Sequence, residues 1–302
     1  VAEITASLVK ALREQTGAGM MECKKALQEA DGDLKKAGEI LREKGAAKAV
    51  KRAERKIKEG RIAASVSDDK RCGALVEINI ETDFAARNEK FGELVETVCQ
   101  TALQTASTDL QALLAAKPSN GAAETIAALV TETISIIGEN MGVRRCASFK
   151  VPDTDAGLIH AYIHPPGKVG VLLQIKCEND TVAKSDIADE LAHDLCLQIA
   201  FSDPVSVDSS SVPESVIEAE KQIYRQQALN EGKPEQIIDK IVEGRIKGFF
   251  KDSCLIDQAY VKEEKISVGD LIKEKGKAAG GAISIVRFER YQLGGGGEEA
   301  AE

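Results

Sequence analysis

Tryptophan is absent from this 302-residue sequence, and all aromatic residues together supply only 4% of it. A core so poor in aromatics is packed with aliphatic side chains and alanine, which suits helices and helix-on-sheet layers better than an all-β sandwich. No apolar run reaches the roughly 18 residues that would argue for a membrane-spanning helix, so no membrane partner is expected. The opening Val1-Ala2-Glu3-Ile4 has neither a basic n-region nor an apolar stretch, so no secretory signal is read there. An initiator Met is also missing, which points to a processed chain or a piece of a longer one. A P-loop is absent: Gly167-Lys168 is followed by Val169 and has no upstream Gly at the required spacing. The only histidines are His160, His164 and His193. The first two share a strand face with no nearby Cys or carboxylate to complete a metal set, so a polar surface pair is the plainer reading. Neither a metal nor a cofactor is expected, and no local signature supports a Cys/His nucleophile.

Positive charge is in deficit. The formal net charge of −9 argues against a general nucleic-acid binder, and no direct nucleic-acid partner is expected. One local basic patch stands out at Lys48, Lys51, Arg52, Arg55, Lys56 and Lys58, readable as a solvated helix end or linker or as a contact for RNA. The seven cysteines (residues 23, 72, 99, 146, 177, 196 and 254) are odd in number and contain no C-x-x-C pair. They read as reduced, buried, small hydrophobes of a reducing compartment.

What is present falls into parts. Residues 1–46 read as three short helices: Thr5 caps the first, Thr16-Gly17-Ala18-Gly19 breaks it, Asp33 caps the third and Gly45 stops it. Residues 47–59 form a charged connector. A core then follows in which residues 60–103 match residues 157–200 without a gap at an offset of 97. The identities include Gly60 with Gly157, Gly73 with Gly170, Leu75 with Leu172, Glu81 with Glu178, Asp83 with Asp180 and Cys99 with Cys196. Each copy reads as a β-hairpin followed by a helix, so a duplicated α+β core is expected, its subdomains related by a pseudo-two-fold. They span 60–152 and 153–293. The second contains two antiparallel helices at about 213–250, broken at Glu231-Gly232-Lys233-Pro234, that make a protruding hairpin. Residues 294–302 read as a flexible acidic tail.

The segment Glu81-Thr82-Asp83-Phe84 ends a hydrophobic strand. A carboxylate and a large ring at a strand-to-helix corner could act together on a partner, the acid on a water or Mg²⁺ network and the ring as a wedge. The bland alternative is that Thr82 or Asp83 caps the next turn and Phe84 is ordinary core. In the second copy the matching residues are Asn179, Asp180 and Thr181, so the acid recurs and the aromatic does not. A shared Asp83/Asp180 then reads partly as a structural cap, and Phe84 has no such explanation.

The run from Leu12 to Leu27, LREQTGAGMMECKKAL, resembles the N-terminal signature of the translation elongation factor Ts family. Thr82-Asp83-Phe84-Ala85-Ala86 is similar to that family's T-D-F-V-A segment. The resemblance continues through Ile137-Gly138-Glu139-Asn140, Arg144-Arg145, His164 with Gly167 to Val171, and Glu243-Gly244-Arg245. It implies a three-helix domain of the ubiquitin-associated (UBA-like) kind, a core of two similar subdomains and a helical hairpin. It further implies a non-enzymatic guanine-nucleotide exchange factor that binds elongation factor Tu, GDP-bound and nucleotide-free. Asp83 and Phe84 would insert beside that partner's switch helices, and Leu12, Met20, Met21 and Lys24 would grip its nucleotide-binding domain. Ile137, Gly138 and His164 would touch it elsewhere, and Arg52 falls where the family commonly has a basic residue. Gln198 replaces the histidine of the family's A-M-H-I-A helix, so no His role is assigned there; the connector 54–60 and the tail after Leu293 also depart from the pattern. An adaptor or a ribosome-associated module without exchange activity is the alternative. The plastid stroma and the bacterial cytoplasm are the two compartments that fit.

Overall fold

Thr5 opens the first helix, α1 (Ala6–Thr16), with its Oγ1 accepting the Leu8 amide. The computed structural model describes residues 4–295 of the chain; Val1–Glu3 and most of the expected tail lie outside them. Helices α2 (Met20–Glu29) and α3 (Leu34–Arg52) follow, the latter capped by Asp33. Val9, Leu12, Cys23, Ala26, Leu27 and Ala37 form the small core that the three helices share. The stop expected at Gly45 does not occur, and α3 runs on to Arg52 through the first part of the expected connector. Gly45 is instead a close-approach residue: a Cβ there would lie 2.2 Å from Ser135 Oγ on a crossing helix. Its lack of a side chain serves tertiary packing, which a local stop signal cannot anticipate.

The core is α+β and doubled. Its first half contains β1 (Glu59–Val66), β2 (Cys72–Ile80), α4 (Asp83–Ala86), α5 (Glu89–Thr105), α6 (Leu110–Ala115), α7 (Ile126–Ile137) and β3 (Met141–Lys150). Its second half begins with β4 (Gly157–His164), β5 (Val169–Cys177), α8 (Asp180–Ala183) and α9 (Asp186–Ser202). Elements β5, α8 and α9 repeat the limits of β2, α4 and α5 at the offset of 97. The second half then adds α10 (Glu214–Asn230), α11 (Glu235–Ser253), β6 (Ala259–Tyr260), β7 (Glu263–Ser267), α12 (Val268–Ala279) and β8 (Ile283–Gln292). Helices α10 and α11 bury Ala228, Ile238, Val242 and Ile246 between them, and the Val205 amide bonds Ser253 O at their base.

Two three-stranded antiparallel sheets, β1-β2-β3 and β4-β5-β8, result. Strand alternation sends Ala74, Val76, Ile78 and Ile80 of β2 toward α5 and α7, and Val171, Leu173, Ile175 and Cys177 of β5 toward α9 and α12. The other faces meet each other through Ile62, Leu75, Phe149, Ile159, Leu172 and Tyr291. The molecule is therefore layered helix, sheet, sheet, helix, and both central strands are buried on both sides.

The contact between the sheets is reciprocal. A Cβ on Gly73 would meet Ile159 Cγ2 at 2.6 Å and Leu172 Cδ1 at 2.9 Å. A Cβ on Gly170 would meet the counterpart atoms, Ile62 Cγ2 at 2.5 Å and Leu75 Cδ1 at 3.1 Å. Arg145 lies over the Tyr291 ring at 4.0 Å, and its counterpart Arg287 lies over Phe149 at 4.1 Å. Register shifts fall at Glu77/Ile78 in one sheet and at the matching Gln174/Ile175 in the other. Residue-for-residue exchange of this kind is the mark of a two-fold relation.

Candidate functional site at the strand-to-helix corner

Strand β2 ends at Ile80, and the chain turns at once into the one-turn helix α4. Thr82, in extended conformation, caps that turn through Oγ1, which accepts the Ala85 amide at 3.2 Å. Ala85 and Ala86 point inward to the core beside α5. Phe84 then has only solvent to face, and its side chain is 81% exposed. The ordinary-core reading of Phe84 is overturned. Desolvating such a ring is worth about 2 kcal/mol, and the fold of this chain does not collect that gain.

The cap reading of Asp83 is corrected as well. In both copies the cap is the preceding residue, Thr82 or Asn179, while the acid sits in the first turn. Asp83 pairs with Arg87 at 3.3 Å and Asp180 with Lys184 at 3.8 Å, each one helical turn on.

Neighbouring groups hold the corner from beneath. Glu139 accepts two hydrogen bonds from Thr82, from the backbone amide at 3.0 Å and from Oγ1 at 2.8 Å. Glu81 accepts the Asn140 amide at 2.5 Å and is reached by Arg55 at 3.4 Å. The Asn140 side-chain amide donates to Ala53 O at 3.3 Å and Arg55 O at 2.9 Å. Arg52 donates to Ile134 O, a carbonyl at the end of α7, at 3.1 Å. Gly138 caps α7 in the left-handed region at φ 88°, which a side chain would strain. Ile137 is half-buried against the first-half core. The corner thus gathers Thr82, Asp83, Phe84, Ile137, Gly138 and Arg52 from the expected set. It adds Glu81, Glu139 and Asn140, whose roles depend on contacts between distant segments.

Other expected residues lie apart. Met20 and Met21 are exposed at the start of α2, and Lys24 lies one turn on from Met20. Leu12 is fully buried in the core of the three helices, so its expected contact with a partner is withdrawn in favour of packing. His164 is exposed at the end of β4, with Nδ1 2.9 Å from the Tyr162 hydroxyl. His160 is not a bare surface residue: α9 brings Asp189 and His193 to its two ring nitrogens, each at 3.3 Å, and burial pulls its pKa below the usual imidazole range. Among the described residues no group of three or more His, Cys, Asp or Glu side chains is placed to hold a metal ion. Burial pushes the Cys99 and Cys177 thiols up to about 11, so both stay protonated at neutral pH and are poor nucleophiles. Gln198 is spent internally, donating to Gln258 and Ala259 O and accepting the Val261 amide. Three members of the basic patch are likewise engaged: Lys48 with Glu22, Arg52 with Ile134 O and Arg55 with Glu81.

No helix among the described residues is long and apolar enough to cross a membrane. The family model described as elongation factor TS matches residues 81–295. Elongation factor Ts of Clostridium perfringens is 46% identical over 303 residues, covering 99% of this chain and 96% of its own length. The protein of the same name from Clostridium botulinum is 45% identical over 299 residues, with 99% and 96% covered. That from Clostridium novyi is 43% identical over 299 residues, with 99% and 95% covered. With a family model over more than half its length and relatives aligned nearly end to end, the chain belongs to the elongation factor Ts family of translation elongation factors.

Proposed function

We propose that the chain is a guanine-nucleotide exchange factor that binds GDP-bound elongation factor Tu and promotes release of GDP during translation elongation. The observation that carries this reading is the exposed Phe84 ring on a turn fixed by Glu139 and Glu81. A ring on a loose loop would lose its gain to ordering; one held in place before contact does not. Inserted between helices of the partner, it shifts the elements that hold Mg²⁺ and the β-phosphate, and the Asp83 carboxylate beside it disfavours anionic phosphate. Met20, Met21 and Lys24 supply a second contact, with Ile137, Gly138 and His164 as further points of attachment. Leu12 serves only by seating α2.

No covalent step is needed, so the protein acts as a binding partner and not as an enzyme. The factor and the nucleotide weaken each other's binding to the GTPase by the same ratio, because coupling between sites is reciprocal. Stopped-flow release of fluorescent GDP from elongation factor Tu tests the reading. The chain should accelerate release in a concentration-dependent, saturable way. An adaptor would bind and leave the rate at its intrinsic value, and that result would overturn the proposal.

A further inference from the structure

The duplication supplies an internal control for the corner. Asn140 and Ala282 are counterparts, each directly preceding the third strand of its sheet and each donating its amide to the matching glutamate, Glu81 or Glu178. By the same register Glu139 corresponds to Gly281. The second corner, which carries Thr181 in place of Phe84, therefore has Gly and Ala where the first has Glu and Asn. It is nevertheless built to the same limits. The second copy thus forms the same corner without a counterpart of the Glu139 carboxylate or of the Asn140 side-chain amide.

Neighbouring residues have changed to match. A Cβ at Gly281 would lie 2.8 Å from Val182 Cγ2 and 3.2 Å from Glu178 Cβ, so the second copy has no room for a glutamate there. The counterpart of Val182 is Ala85, whose smaller side chain leaves space at the first corner. Into that space Glu139 reaches to take both Thr82 donors. Asn140 meanwhile ties down Ala53 and Arg55, the first residues after α3, the helix that ends the three-helix unit.

Resting on the exchange reading above, we infer that Glu139 and Asn140 are positioning residues that hold the Phe84 turn and the three-helix unit in one fixed relation for docking. Glu139 acts through Thr82 on the direction of the ring. Asn140 acts through the connector on the placing of Met20, Met21 and Lys24. Both surfaces then meet the GTPase together, and the second contact needs no separate ordering.

The test measures GDP release from elongation factor Tu with the full-length chain as wild type, Glu139→Ala, Phe84→Ala and the double variant, with unfolding followed by circular dichroism. Glu139→Ala should lower the maximal stimulated rate about fivefold and keep a native unfolding transition. It should cause no further loss when Phe84 is already alanine, because its effect passes through that ring. Glu139→Gln, which keeps one acceptor, should fall between. Asn140→Ala should raise the half-saturating concentration about fivefold and leave the maximal rate alone. If Glu139→Ala matches wild type, or slows release equally with and without Phe84, the positioning role is wrong. If Phe84→Ala itself releases GDP like wild type, the exchange reading fails and the positioning role goes with it.

Discussion

At the corner after β2 stands Phe84; at the matching corner after β5, 97 residues on, stands Thr181. The two share their strand limits, a capping hydroxyl or amide, a first-turn acid with its ion pair, and the glutamate that holds the third strand. Shared features answer to the fold. The aromatic and the Glu139–Asn140 support have no counterpart at the second corner, and it is there that we propose contact with another molecule.

Where the halves are equivalent, equal changes must cost equally. Gly73→Val and Gly170→Val should each destabilise by about 3 kcal/mol, because both push side chains into a close-packed sheet interface. Chemical denaturation of the two variants checks this; a difference of more than about 1 kcal/mol between them would show that the packing is not two-fold.

A smaller effect is expected where the halves differ. Glu77 is fully buried and bonds Arg145 at 2.7 Å, whereas Arg287 has the neutral Gln174 at 2.8 Å and burial lowers its pKa. Glu77→Gln should cost about 2 kcal/mol, less than for a wholly buried pair because Arg145 is partly solvated. The reverse change, Gln174→Glu, gives Arg287 a carboxylate and should stabilise by about 1 kcal/mol or less. Thermal unfolding at neutral pH would contradict the account if the two changes had the same sign.

Much of this architecture was legible in the residues. The gapless repeat carries both central strands and both long helices, since alternation and helical spacing are local patterns. The cross-stacking of Arg145 on Tyr291 and Arg287 on Phe149 was not legible. Those third strands correspond at an offset of 142, with the α10–α11 hairpin intervening in the second half only. Gly45 looked like a helix stop because its reason for being glycine, Ser135, is far along the chain. Leu12 stood in a motif that suggested contact, but helical phase turns it into the three-helix core. The short β6–β7 pair has too few residues for a periodic signal. Phe84 itself could be singled out from sequence, yet its exposure depends on Ala85 and Ala86 taking the inward positions.

The most direct measurement sets the two corners against each other in one assay. Stimulated GDP release from elongation factor Tu is followed with wild type, Phe84→Ala and Thr181→Ala at saturating concentration. The account predicts a fall of about thirtyfold for Phe84→Ala, the rate equivalent of losing one anchoring side chain worth about 2 kcal/mol, and no change for Thr181→Ala. Release at the wild-type rate with Phe84→Ala, or an equal fall at both corners, would contradict it.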